Sequence, residues 1–337
     1  MSELRKDPLL ERWTLVSPER AERPSEYLED QPTRAERPCP FCPGRERETP
    51  NEILAHRDGT PADAPGWRVR LVPNRFPAIS LVDPAPQASG EFFASRPGIG
   101  VHEVLIETPD HDGDLGTMGV EQATLVFRAL RERLSGLARD TRLAYVLAFE
   151  NHGASAGATI EHAHAQILGL DFVPSVARTE MGAAADRYDG TGRCAWCEAI
   201  ERERAARDRV VRDADGFFAA CAFAPRFEYE TWIAPVRHAT AFEDGDGAQD
   251  EGLARALTDV VGRLQSVLQH PAYNFVLHNA PCRSPQLPSF HWHVEVMPRT
   301  ARLAGFEWGS GVHIVATSPE EAAQRLREAG AAAPRQR

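Results

Sequence analysis

The chain repeats itself, and this repeat constrains its fold more than any other feature. Cys39 and Cys42 in "CPFCPG" head one series of segments: "RLVPNRFPAI" (70–79), "GVHEVLIETPDH" (100–111), a helical stretch, "LAYVLAFENHG" (143–153) and "HAHAQILG" (162–169). Cys194 and Cys197 in "CAWCEA" head a second: "FFAACAFAPRFEYETWIAPVRH" (217–238), a helical stretch, "YNFVLHNAP" (273–281) and "HWHVEVMP" (291–298). Both run in one order: C-x-x-C, an extended segment ending in His, a helix, a strand ending near Asn, then H-x-H. The interval from His111 to His162 nearly equals that from His238 to His291. A repeat this long is a duplicated domain rather than a solenoid unit. It divides the chain into a half over 1–175, a linker over 176–193 and a half over 194–330.

Within each half the periodicity specifies the elements. Ala123, Phe127, Leu130, Leu134 and Leu137 recur at helical spacing, as do Leu253, Leu257, Val260, Leu264 and Val267. The flanking segments are β-rich, and residues two apart on a strand point to one face, so His162 and His164 look the same way, as do His291 and His293. A last helix begins at Ser318 as N-cap, with Pro319 in its first turn and Glu321 placed for a capping box. The expected class is α+β: antiparallel sheets with helices packed on them.

The cysteines then point to metal. No apolar run reaches the ~18 residues of a membrane span, and "MSELRKDPLLERW" lacks a signal-peptide core, so a cytoplasmic protein is expected. In that setting paired C-x-x-C favours metal over a structural disulfide. A redox pair would sit between a strand and a helix, whereas both pairs here have Pro- and Arg-rich, loop-like surroundings. Zinc takes about four N/S ligands, and each C-x-x-C supplies two. The duplication nominates the rest: Cys39, Cys42, His111 and His162 for one zinc, and Cys194, Cys197, His238 and His291 for a second. Cys221 and Cys282 read as buried free thiols.

His164 is left on the ligand face without a metal role. A neutral imidazole is a competent nucleophile toward phosphorus. The loop "NHGASAGAT" before it has small residues that let backbone N–H groups approach phosphate oxygens. Gln166, two residues on, faces the same way and is placed to donate to a non-bridging oxygen. Lys6 is the only lysine, which rules out a P-loop. A net charge of −11 argues against nucleic acid or an anionic membrane as partner.

These motifs together carry a resemblance. "SPERAERP" (17–24), "CPFCPG", "PNRFPAI", "HEVLIETPDH", "ENHGASAGATIEHAHAQI", "HWHVEVMPR" and "GFEWGSG" (305–311) follow the order of the galactose-1-phosphate uridylyltransferase family, a nucleotidylyltransferase branch of the histidine-triad superfamily. The resemblance spans nearly the whole chain and implies two histidine-triad-like halves. It implies a ping-pong reaction in which His164 attacks the α-phosphate of UDP-glucose, releases glucose-1-phosphate and passes UMP to galactose-1-phosphate. By the same matching, Arg20, Arg23, Asn74, Asn151, Gly157, Thr159 and Gln166 fall on nucleotide- or phosphate-contacting positions. The motif here is His-Ala-His where well-known members carry His-Pro-His, Ala165 stands where a Gly often follows, and Thr159 stands where some carry Ser.

For the second metal the resemblance offers two sets. Some relatives use a Glu and three histidines, matching Glu180, His278, His291 and His293. Others, similar to plant ADP-glucose phosphorylase, use C-x-x-C and two histidines, matching Cys194, Cys197, His238 and His291. The second set is favoured, because thiolates bind zinc strongly and the duplication nominates it independently. Two zinc ions per chain are therefore expected, and the resemblance implies a homodimer. The alternative activity is an ADP-glucose or other nucleotide-sugar phosphorylase, or an adenylyltransferase, of the same superfamily. Glu307 and Trp308 are acceptor-pocket candidates that do not separate the two. A non-enzymatic zinc module is disfavoured by the acidic charge and by Gln166 after the H-x-H. In the second half Glu295 replaces that Gln, and its carboxylate would repel phosphate, so chemistry is expected in the first half alone.

Overall fold

The structure, a computed structural model, describes residues 3–6, 13–16, 38–81, 98–284 and 286–330. The first half contributes strands β3 (Leu54–Arg57), β4 (Trp67–Pro73), β5 (Gly100–Ile106), β6 (Tyr145–His152) and β7 (His164–Leu170), with helix α1 (Gly119–Ala138) between β5 and β6. The second contributes β8 (Val210–Ala214), β9 (Phe217–Cys221), β10 (Thr231–Pro235), β11 (Tyr273–His278) and β12 (His293–Pro298), with α4 (Gly247–Leu268) between β10 and β11. Earlier in the chain lie β1 (Glu3–Lys6) and β2 (Trp13–Val16). Between the halves runs α2 (Ser175–Thr191), and α3 (Ala195–Ala206) opens the second half; α5 (Gly305–Ser310), β13 (His313–Val315) and α6 (Pro319–Ala329) end the described chain.

Ten strands form one antiparallel sheet in the order β3-β4-β5-β7-β6-β11-β12-β10-β9-β8. Reading outward from the β6–β11 seam, each half gives its fourth, fifth, third, second and first strand. The topology thus repeats as the sequence does, and the α+β class with antiparallel strands follows. At the seam Asn151 lies opposite Asn274 and Glu150 opposite Phe275. A smaller sheet joins β1, β2 and β13.

Both long helices lie on one face of the large sheet. Val126, Phe127, Leu130, Leu134 and Leu137 of α1 share one buried core with Leu253, Leu257, Val260, Val261 and Leu264 of α4. Burying such side chains is worth roughly 1.5–3 kcal/mol each. Arg131 crosses between the helices and donates two hydrogen bonds of 2.8 Å to the fully buried Asp250. The Asp246 side chain caps α4 by accepting from the Ala248 and Gln249 N–H groups. Ser318 caps α6 as expected, accepting from the Glu321 N–H.

The opposite face holds two small cores that echo each other. Phe41, Trp67, Val72, Val104 and Ile106 form one; Trp196, Ile200, Phe218, Ala220 and Trp232 are part of the other. Residues two apart on β5 therefore divide cleanly: Val104 and Ile106 face the Cys39–Cys42 loop, while Leu105 faces α1. Gly100 permits the close approach of β5 to β7, because a Cβ there would stand 2.1 Å from the Gly169 carbonyl oxygen.

The segment between the halves, 176–193, is largely the helix α2, which buries Ala177, Glu180 and Ala184. One expectation differs from the structure. The second C-x-x-C is not in a loop: Cys194 occupies the N-cap position of α3 and Cys197 lies in its first turn. "AWCEAIERERAA" is rich in Ala, Glu and Arg, which are good helix formers, and this outweighs the loop-like residues before it.

Candidate active site and metal centres

The turn that holds Cys39 and Cys42 meets the ends of two distant segments. Cys42 Sγ lies 3.4 Å from His111 Nδ1 and 3.7 Å from His162 Nδ1, and Cys39 Sγ lies 3.7 Å from His162 Nδ1. All four ligand atoms fall within 4.8 Å of one another. Zinc bonded tetrahedrally to sulfur at ~2.3 Å and nitrogen at ~2.05 Å sets each sulfur about 3.6 Å from each nitrogen. The group therefore fits that ion. His162 Nε2–H donates to the Thr108 carbonyl (2.7 Å), which leaves the Nδ1 lone pair facing the sulfurs. Burial, with the neighbouring Cys39 adding to it, pushes the Cys42 thiol up to about 11, a penalty that a bound cation relieves.

The second half repeats the arrangement. Cys197 Sγ lies 3.5 Å from His238 Nδ1 and 3.7 Å from His291 Nδ1, and with Cys194 these ligand atoms again fall within 4.8 Å of one another. His238 Nε2–H donates to the Leu287 carbonyl at 3.3 Å. A hydrogen bond from Cys197 is the main influence pulling the Cys194 thiol pKa down, with His291 assisting. His291, common to both sets weighed above, stands in the cysteine set.

The other set forms a third, separate group of Glu180, His278 and His293. His278 Nδ1–H donates to Glu180 (2.9 Å) and Nε2–H to Glu295 (3.0 Å). Burial opposes a charge on His278, yet Glu295 and Glu180 outweigh it and push its pKa up to about 10. Arg226 makes a further short ion pair with Glu295.

The two H-x-H histidines diverge at this point. His164 Nδ1–H donates to the His162 carbonyl at 2.8 Å, so Nε2 carries the free lone pair. Burial lowers its pKa below the ordinary imidazole value, although the bond to His162 partly offsets this. Phe41, the aromatic residue inside the first C-x-x-C, meets the His164 ring edge-on with centroids 5.2 Å apart. His293 repeats the hydrogen bond, donating to the His291 carbonyl at 3.1 Å. Its ring, however, lies 4.1 Å from Trp196 and 4.5 Å from the stacked His278, and its Nε2 faces Glu180 at 3.4 Å. His164 keeps 7 % exposure against 2 % for His293.

The remaining expected residues fall into four groups. Asn74 and Gln166 come together through a residue the motif reading passed over, His102, whose Nε2 lies 2.9 Å from Gln166 Oε1 and 3.1 Å from Asn74 Nδ2. Asn151 and Gly157 are also close: a Cβ on Gly157, whose φ is +92°, would stand 3.8 Å from Asn151 Nδ2, while Asn151 Oδ1 accepts from Asn274 (2.7 Å). Thr159 is exposed in the same loop. Three of that loop's amides, those of Ala156, Gly157 and Ala158, bond back to the Gly153 and Ala154 carbonyls, so they are committed to the loop's own turn rather than open to a phosphate. Glu307 accepts from the Ala304 N–H at the start of α5, and Trp308 is 76 % exposed on the same helix. Arg20, Arg23 and the rest of "SPERAERP" lie outside the described residues. No sequence signal marked His102: its place depends on the strand register, which sets it two residues before the position that pairs with Gln166.

Comparison with known proteins follows the same outline. The model of the family described as "Galactose-1-phosphate uridyl transferase, N-terminal domain" matches residues 1–174. An ADP-glucose phosphorylase of Arabidopsis thaliana is 32% identical, with 97% of this chain and 92% of that protein covered. A galactose-1-phosphate uridylyltransferase of Thermotoga maritima is 30% identical over 97% of this chain and 98% of its own length. Among solved structures, the Arabidopsis thaliana ADP-glucose phosphorylase with bound ADP-glucose superposes with a TM-score of 0.83 at 29% identity, covering 97% of this chain and 98% of that one.

Proposed function

Since the chain belongs to the galactose-1-phosphate uridylyltransferase family, we propose that it moves UMP from UDP-glucose to galactose-1-phosphate through a nucleotidyl-histidine on His164. The observation that carries this reading is the His164 tautomer. With Nδ1–H bound to the His162 carbonyl, Nε2 is a neutral nucleophile that needs no base. Its lone pair forms the N–P bond at the α-phosphorus while the bond to the bridging oxygen breaks, and glucose-1-phosphate leaves with that electron pair. The ring becomes cationic, and the carbonyl that accepts from Nδ1 stabilises it. A phosphate oxygen of galactose-1-phosphate then attacks the same phosphorus from the opposite side, and His164 returns to neutrality. Gln166 donates to a non-bridging oxygen, and Asn74, Asn151, Gly157, Thr159, Arg20 and Arg23 bind the nucleotide.

Zinc is the metal we assign to both Cys–His groups, about two ions per chain. Cys39, Cys42, His111 and His162 would hold one, and Cys194, Cys197, His238 and His291 the other. Bound there, zinc supplies a cross-link that closes a long loop. His162, held by the Thr108 carbonyl and placed to ligate the metal, sets the backbone carbonyl that orients His164. We read the halves as ending at residue 175 and beginning at 194, and the enzyme as a cytoplasmic homodimer. Among the described residues no helix is long and apolar enough to cross a membrane. Phe306 and Trp308, exposed on α5, are an apolar pair that a second copy could cover.

The test is incubation with radiolabelled UDP-glucose, followed by denaturation and a search for acid-labile label on protein. The wild-type chain should carry it and His164→Ala should not; label retained by His164→Ala ends the proposal. A second reading, an ADP-glucose phosphorylase, is favoured by the 32% identity to that enzyme over nearly the whole chain. Labelling by ADP-glucose instead of UDP-glucose, with discharge by inorganic phosphate rather than galactose-1-phosphate, would select it.

A further inference from the structure

His102 opens the "HEVLIETPDH" segment without a role in anything described so far, yet its hydrogen bonds determine which end of Gln166 faces the reaction. The Ala78 backbone N–H points at His102 Nδ1 from 3.1 Å, so Nδ1 is an acceptor and carries no proton. A neutral imidazole holds one proton, which must then be on Nε2. Two groups lie within reach of that N–H. Asn74 offers an amide nitrogen at 3.1 Å, which cannot accept, and its own amide oxygen is engaged by the Phe76 N–H at 2.9 Å. Gln166 Oε1 at 2.9 Å is the remaining acceptor. The Gln166 oxygen is therefore drawn to His102, and its NH2 group is turned away.

The strand register places this pair beside the nucleophile. Ile106 lies opposite His164, Val104 opposite Gln166 and His102 opposite Leu168, so alternation sets His102, Gln166 and His164 on one face of β5 and β7. Among the described residues no group accepts from the Gln166 NH2. A phosphate oxygen accepts hydrogen bonds and repels a carbonyl oxygen, so only the NH2 end of Gln166 is productive toward it. The terminal torsion of a glutamine is broad and roughly two-fold, which means an untethered amide would present either end.

We propose that His102 is a positioning residue for the nucleotidyl-transfer step: it locks the amide of Gln166 with oxygen inward and nitrogen toward the α-phosphate. This rests on the reading of Gln166 as a phosphate donor. The Asn74 backbone, whose N–H donates to the His102 carbonyl at 2.8 Å, and the Ala78 N–H hold the imidazole in place from the segment after β4.

The experiment is single-turnover labelling of the full chain with radiolabelled UDP-glucose, and in parallel ADP-glucose, for wild type, His102→Phe, His102→Gln, Gln166→Ala and the double variant His102→Phe/Gln166→Ala. Zinc content reports that each variant is folded. His102→Phe should label roughly tenfold more slowly at saturating donor, with half-saturation moved by less than about twofold, because orientation is lost and binding is not. His102→Gln, which keeps an N–H at the Nε2 position, should recover most of the rate. The double variant should label no more slowly than Gln166→Ala alone, since both changes remove one interaction. A His102→Phe enzyme with the wild-type rate, a double variant whose losses multiply, or a folded His102→Gln as slow as His102→Phe overturns the proposal. Should Gln166→Ala itself label at the wild-type rate, the phosphate role of Gln166 falls, and the role of His102 falls with it.

Discussion

His162 and His164 sit two residues apart and carry their protons on opposite nitrogens. His162 gives Nε2–H to a carbonyl and turns Nδ1 to two cysteines; His164 gives Nδ1–H to a carbonyl and frees Nε2. One histidine thus suits a metal and the next suits phosphorus, and the difference comes from which backbone oxygen each ring meets. If zinc occupies both Cys–His groups, purified wild type contains about two ions per chain, and either Cys39→Ser or Cys194→Ser about one. Elemental analysis decides this, and an unchanged count in Cys194→Ser would exclude the second centre. Both groups were legible in the sequence because the duplication nominated the same residue types in the same order twice. His102 was not, since its importance arises from cross-strand register and from a backbone N–H four residues past Asn74. The closed turn of "NHGASAGAT" escaped for a similar reason: small residues announce a tight loop without saying which way its amides point.

Beneath β7 the elements bury charge in an unusual place. Leu105 on β5 and Ala148 on β6 belong to the main core, and Glu107 and Glu150, two positions further along, enter it from the same side. Among the described residues, no group hydrogen-bonds to either Glu107 oxygen or to one of the Glu150 oxygens. Burial, reinforced by Asp114, pushes the Glu107 pKa up to about 8, and burial with Glu107 beside it raises Glu150 well above the carboxylate range. Between the ordinary carboxylate value of ~4.3 and about 8 the folded chain thus holds a proton that the unfolded chain releases. Folding stability contributed by this group is complete below that window and falls as pH rises through it. The melting temperature should decline from pH ~5 to ~8, and Glu107→Gln, which keeps the shape without the titration, should flatten the decline. Thermal scans across this range check it, and a variant with the wild-type slope would refute the assignment. At this scale α1 and α4 were readable from their apolar stripes, whereas α2 was not. Its buried side chains are two alanines and Glu180, too weak a stripe to stand out.

On the scale of the molecule, the halves are joined by the β6–β11 ladder, by the shared core of α1 and α4, and by the Arg131–Asp250 pair. Residues 1–174 produced alone would expose the β6 edge and the apolar stripe of α1 that α4 covers. That fragment should self-associate, as sedimentation equilibrium would reveal; a stable monomer would show that the halves are independent. The repeated strand order was legible as a repeat, although its merging into one sheet was not, because no residue pattern tells which edge strand will be shared. The seam also has a consequence for how such a chain can vary. Two identical subunits meeting at such a seam would be encoded once, so a change that suited one would be imposed on the other. A tandem chain is free of that constraint, and Gln166 and Glu295 occupy corresponding positions in it with different partners: one amide oxygen accepts from His102, the other side chain pairs with the buried His278. Asymmetry here is a property of the covalent link between the halves, and it lets half the molecule be a foundation while the other half remains a tool.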